Sequence, residues 1–96
     1  MSVVDDVIAL FQRKRRSLLC SEATRELQGL GFRVRACSKG GHRAVSHPGL
    51  EGFLGTSFNG GHGSDDQLKP GYVSSLIRVL RQRKEELERL LEHHHE

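Results

Sequence analysis

The chain has 96 residues, with 15 Lys and Arg against 12 Asp and Glu. That length suffices for one domain with a modest core and excludes a large enclosed substrate cavity beside it. The surplus of +3 suits a polyanionic partner without requiring one. No apolar run is long enough to span a bilayer. The early run from Val3 to Phe11 is interrupted by Asp5 and Asp6, so it does not read as a secretory leader. Cys20 and Cys37 lack C-x-x-C spacing. The expectation is a cytoplasmic protein whose reduced thiols serve as small apolar filler. The cations fall in three blocks: Arg13 to Arg16; Arg33, Arg35, Lys39 and Arg43; and Arg78, Arg81, Arg83 and Lys84.

From Ser2 to Arg16, Val4, Val7, Ile8 and Phe11 recur at helical spacing. Acids lead this segment and cations end it, as the helix dipole favours. A second helix is expected from Ser21 to Gln28, capped by Ser21 or Ser17 and stopped by Gly29 and Gly31. The period then becomes alternating: Phe32, Val34 and Ala36 on one side, Arg33 and Arg35 on the other. This predicts a half-buried strand with a basic open face. A turn over Ser38 to Gly41 leads to an antiparallel strand, His42 to His47. On it Val45 faces the core between Arg43 and His47, while His42, Ala44 and Ser46 face outward. A third strand is expected over Gly52 to Phe58, then a loop from Asn59 to Leu68. Pro70 opens the last helix, in which Val73, Leu76, Ile77, Leu80, Leu87 and Leu91 recur. Asp65 and Asp66 would favour its start. The charged stretch Arg81 to Arg89 reads as a solvated helix end rather than a coiled coil.

The fold expected is α+β, ordered α–α–β–β–β–α, with three antiparallel strands and helices on one sheet face. It makes one domain over 1–91, with a core over about 17–80 and a helical extension over 2–16. Residues 92–96, Glu92 to Glu96, read as a native tail or a tag remnant, and their histidines are left out of the chemistry.

No metal site is expected. His42 and His47 lie five apart on one strand and so face opposite sides, and no carboxylate cluster is evident. The glycine-rich runs lack P-loop or dinucleotide spacing, and no small-molecule cofactor is implied. The better constellation is Lys39-Gly40-Gly41-His42. Glycines let a polymer backbone approach closely, and an open-face imidazole moves protons near neutral pH. RNA brings its own nucleophile, the 2′-hydroxyl, so one histidine and nearby cations suffice for cleavage without metal. On spacing alone, the simpler reading of His42 is an exposed polar residue. The arginines could equally pair with Glu51, Asp65 or Asp66.

Five short matches occur in order: Gly31-Phe32, Lys39-Gly40-Gly41-His42, His47-Pro48, the strand Phe53 to Phe58 followed by His62, and Leu68-Lys69-Pro70-Gly71. Together, over about Ser21 to Leu80, they resemble the HicA family of mRNA-cleaving toxins, whose fold is like a double-stranded-RNA-binding domain. Gly41 stands where that family usually has serine or threonine, and the loops around Leu50 and Gly60 are longer. The resemblance implies a metal-independent endoribonuclease of a type II toxin–antitoxin system with His42 as catalytic residue. His62 and Lys39 are candidates for support, although His62 could simply order its loop. Arg33, Arg35, Lys39, Gly40, Gly41 and Arg43 are candidates for RNA contact. The implied partners are mRNA and a HicB-type antitoxin. The alternative on the same scaffold is a non-catalytic RNA-binding module.

Overall fold

In a computed structural model the described residues are 2–36, 41–60 and 66–94. They form α1 (Val3–Arg13), α2 (Cys20–Gly29), β1 (Arg33–Ala36), β2 (His42–Ser46), β3 (Thr56–Asn59), α3 (Pro70–Gln82) and α4 (Lys84–His94). The architecture is α+β: one antiparallel sheet in the order β1-β2-β3, and four helices. None of these helices is long and apolar enough to cross a membrane.

Helix α1 starts where Ser2 Oγ accepts the Asp5 N–H at 3.1 Å. Its apolar stripe of Val4, Val7, Ile8 and Phe11 is buried, as the spacing predicts. It ends at Arg13, three residues short of the expected Arg16, so Arg15 and Arg16 lie in the following turn.

The start of α2 differs from the serine caps expected. Leu19 holds the N-cap position, and neither Ser17 nor Ser21 does. One local acid and one distant carbonyl take over the capping work. Glu22 Oε1 accepts the Leu19 N–H at 3.1 Å, and the Asp66 carbonyl accepts the Cys20 N–H at 2.8 Å. Glu22 also pairs with Lys14, and the Lys14 ammonium, followed by the Leu19 N–H, holds its carboxyl below the ordinary glutamate value. A depressed native pKa gives stability that is complete above the unfolded value of about 4.3 and is lost as pH falls below it. Glu22→Gln should therefore flatten part of the acid limb of stability below about pH 4.3 and leave the pH dependence near neutrality unaltered. Urea midpoints for parent and variant across an acidic pH series measure this. An acid limb identical in both would remove Glu22 as a contributor.

The end of α2 explains the Gly-Phe pair. Gly31 takes φ +92°, while Gly29 stays helical. The Phe32 N–H donates to the Leu27 carbonyl at 3.1 Å and the Gly31 N–H to that of Gln28 at 3.0 Å. These two bonds form a Schellman stop, which requires the left-handed residue at Gly31 alone. Phe32 is thereby buried beside the helix and aims the chain into β1.

The strands pair Val34 with Val45 and Arg43 with Phe58. Val45 and Phe58 are buried with the apolar residues of all four helices in one cluster, and Val34 is half-buried against it. The inward row thins along β1, so Ala36, expected inside, is exposed. β2 ends at Ser46, one residue before His47. β3 begins at Thr56 rather than Gly52, because Gly52 and Gly55 adopt φ +73° and +96°, which an extended strand does not accommodate. The strand instead runs on through Asn59, expected in the loop. Leu68, also expected in the loop, donates its N–H to the Leu18 carbonyl at 2.8 Å. Residues 61–65 lie outside the described residues, so Asp65 is not placed. No acid occupies the first turn of α3, and Asp66 instead serves α2 through its carbonyl.

The largest departure is at the end. The expected single helix breaks at Arg83, and α4 packs back against α1. Arg83 donates to the Glu51 carbonyl at 3.1 Å and to Glu86 at 2.8 Å, and its guanidinium lies 5.9 Å from the centre of the Phe53 ring. Lys84 Nζ meets Asp5 at 2.9 Å. That hydrogen bond raises the Lys84 pKa and lowers that of Asp5. Leu87 is 0% exposed, so this segment belongs to the core and is not a solvated helix end. Helix α4 also takes in 92–94, expected as tail.

Candidate nucleic-acid interface

One face of the sheet carries exposed residues on all three strands. Cross-strand partners share a face in an antiparallel sheet. The register sets Arg33 opposite Ser46, Arg35 opposite Ala44, Ala44 opposite Ser57, and His42 opposite Asn59. All seven of these residues are exposed. His42, Arg33 and Arg35 thus share the open face that alternation predicts. Arg35 lies diagonal to His42, at a Cα separation of roughly 7–8 Å, within reach of a guanidinium stem. Arg33 is one pair further along, opposite Ser46. Neither Arg33 nor Arg35 makes an ion pair or side-chain hydrogen bond among the described residues. Glu51, one expected acidic partner, instead offers its carbonyl to Arg83.

Other candidates are placed differently. Arg43 pairs with Ala36 and Phe58, on the face that meets the core, and donates to the carbonyl of its neighbour His42 at 3.3 Å. It therefore lies across the sheet from His42, Arg33 and Arg35. Gly41 is buried, and its carbonyl accepts the Gly60 N–H at 2.7 Å, which extends the β2–β3 ladder by one pair. That bond fixes the strand end from which His42 projects. Gly60 must lack a side chain, because the sulfur of buried Cys20 fills the space its Cβ would take. Cys20 is the packed filler expected of it. Lys39, Gly40, His62 and Cys37 lie outside the described residues.

His47 is on the side opposite His42, as their spacing requires. The Gly49 N–H donates to its Nδ1 at 3.0 Å, which makes Nε2 the protonated nitrogen facing the Leu30 carbonyl at 3.1 Å. Its ring stands edge-on to Phe32 at 4.8 Å. With both nitrogens engaged, His47 pins the turn after β2 to the end of α2. Gly31 again has no room for a side chain, since a Cβ there would lie 2.8 Å from His47 Nε2. No group of three or more His, Cys, Asp or Glu converges among the described residues.

Asn59 and Ser57 join the expected residues on this face. Asn59 is hard to place from sequence, because a single polar residue before Gly60-Gly61 carries no strand signal. The period-two continuation from Phe58 is the available clue. Both residues put hydrogen-bonding side chains on the open face beside His42 and Ala44. Comparison with protein-family models, curated proteins and solved structures finds no match for this chain.

Proposed function

We propose that this protein is a metal-independent endoribonuclease of the HicA type, acting on mRNA at the open sheet face, and that its α–β–β–β–α core is a variant of the double-stranded-RNA-binding fold. The observation that carries this reading is the shared exposed face of His42, Arg35 and Arg33, with both guanidiniums uncommitted to any acid among the described residues. In the proposed reaction the RNA 2′-oxygen attacks the adjacent phosphorus and the 5′-oxygen leaves. His42 accepts the 2′-hydroxyl proton or donates one to the leaving oxygen. Arg35 balances charge on the phosphorane, and Arg33 holds a neighbouring phosphate. A HicB-type antitoxin would act by covering this face. The motif resemblance supports the reading from Gly31 to Gly71, and the departure at Gly41 falls on a buried position rather than on the exposed face.

Binding to single-stranded RNA should weaken steeply with salt. Arg33→Ala with Arg35→Ala should lower the salt slope by about 1.4, at roughly 0.7 for each phosphate no longer neutralised. Fluorescence anisotropy across a salt series checks this. If affinity and slope match the parent, the open face is not the RNA surface. Binding that follows this pattern without any cleavage would instead favour the non-catalytic RNA-binding module.

A further inference from the structure

The fold sorts the cations of the first and third basic blocks. Lys14, Arg83 and Lys84 are engaged with Glu22, Glu86 and Asp5. Arg13 and Arg16 have no such partner among the described residues, and neither have Arg15, Arg78 and Arg81. These three line one cleft of about 410 Å³ where the end of α1 meets α3, together with Gln12, Gln82, Ser74 and Ile77. No acid lines it. Ser74, Arg78 and Arg81 fall at i, i+4 and i+7, a single stripe on α3. Gln12 and Arg15 form the opposite wall. Ser74 Oγ is shielded from solvent and has no hydrogen-bond partner among the described residues. This is unusual, because buried polar groups are nearly always satisfied.

Three guanidiniums around one concavity repel one another unless an anion joins them. Each offers a planar fork of donors matched to the oxygens of a phosphate. A phosphate monoester carries close to two negative charges, more than one carboxylate supplies. The cleft is larger than a lone phosphate and falls at the lower end of the range of small-ligand pockets. Its amides can hydrogen-bond a sugar or base, and Ile77 offers a small apolar surface. We infer that the α1–α3 cleft is a binding site for a phosphorylated nucleoside, either as a free nucleotide or as the 5′ end of an RNA strand. The site is separate from the sheet face and does not depend on ribonuclease activity there.

The full chain, its Arg78→Ala/Arg81→Ala variant and its Arg33→Ala/Arg35→Ala variant are titrated with adenosine 5′-diphosphate. They are also titrated with one short oligoribonucleotide carrying either a 5′-phosphate or a 5′-hydroxyl. Both α3 positions are exposed, so the variant should keep the parent's circular dichroism and melting midpoint. Saturable binding of the diphosphate, weakened roughly tenfold or more by Arg78→Ala/Arg81→Ala and unchanged by the sheet-face variant, supports a free-nucleotide site. Tighter binding of the 5′-phosphorylated strand than of its hydroxyl counterpart, with that difference lost in the same α3 variant, supports a strand-end site. Chemical shifts of Gln12, Arg15 and Ser74 should move with the bound probe in either case. Absence of both signals, or signals that persist in the folded α3 variant, would overturn the proposal.

Discussion

His42→Ala should abolish RNA cleavage while leaving the protein folded. A positioned acid or base contributes roughly 10² to 10⁴ in rate, so cleavage should fall to near background. The imidazole is exposed on β2, opposite Asn59, with the helices on the other side of the sheet. Removing it opens no cavity, and the stability change should stay within about 0.5 kcal/mol. The measurement is cleavage of a labelled transcript in chelator by purified parent and variant, each shown folded by circular dichroism. Full cleavage by the folded variant would sink the assignment of His42 and, with it, the reading of the open face as a catalytic surface. Loss of cleavage with RNA binding retained separates the proton-transfer role from binding, since Arg33 and Arg35 remain in place. Induced expression of the native chain and the variant, scored for growth and mRNA decay, extends the test to toxicity.

Leu87→Ala should cost about 2–5 kcal/mol, the range for emptying a buried leucine site. The same change on a solvated helix end would stay within about 0.5 kcal/mol. Leu87 is 0% exposed and belongs to the cluster that includes Val4, Val7 and Phe11 of α1. Leu54→Ala is the matched control, because Leu54 is 101% exposed in the loop before β3. Urea unfolding should show a much lower midpoint for Leu87→Ala with little change in slope, and no shift for Leu54→Ala. Equal midpoints for the two variants would mean that α4 does not cover the core in solution. For a domain of this size such a loss is a large share of the total stability, so growth temperature should be kept low during expression.

Much of the open face is legible in the sequence because a strand has a period of two. With Phe32, Val34 and Val45 inward, Arg33, Arg35 and His42 must be outward, and no later packing can change that without slipping the register. The same rule places His42 and His47 on opposite sides. The helix of Val4, Val7, Ile8 and Phe11 is legible for a similar reason, at a period of 3.6. Local rules fail where a partner distant in sequence supplies the missing group. Leu19 is a poor cap by its side chain, yet the distant Asp66 carbonyl accepts the Cys20 N–H at the start of α2. The start of β3 is obscured because apolar residues at 53 and 54 mimic a strand, and the positive φ of Gly52 and Gly55 is not visible in their identity alone.

The sequence by itself determined the α+β class, the three-strand order along the chain, the inward side of Val34 and Val45 and the outward side of Arg33 and Arg35, since these follow from periodicities carried by neighbouring residues. Only the tertiary structure decided the rest. The break at Arg83 depends on its reach to Glu51 and Phe53, about thirty residues earlier. The burial of Leu87 depends on α1 lying where α4 returns. The separation of engaged from uncommitted arginines depends on which acids the fold brings near. Charge and hydropathy are properties of a residue, whereas partnership is a property of a position in space, and for this chain the uncommitted cations could be recognised only after the others had found their acids.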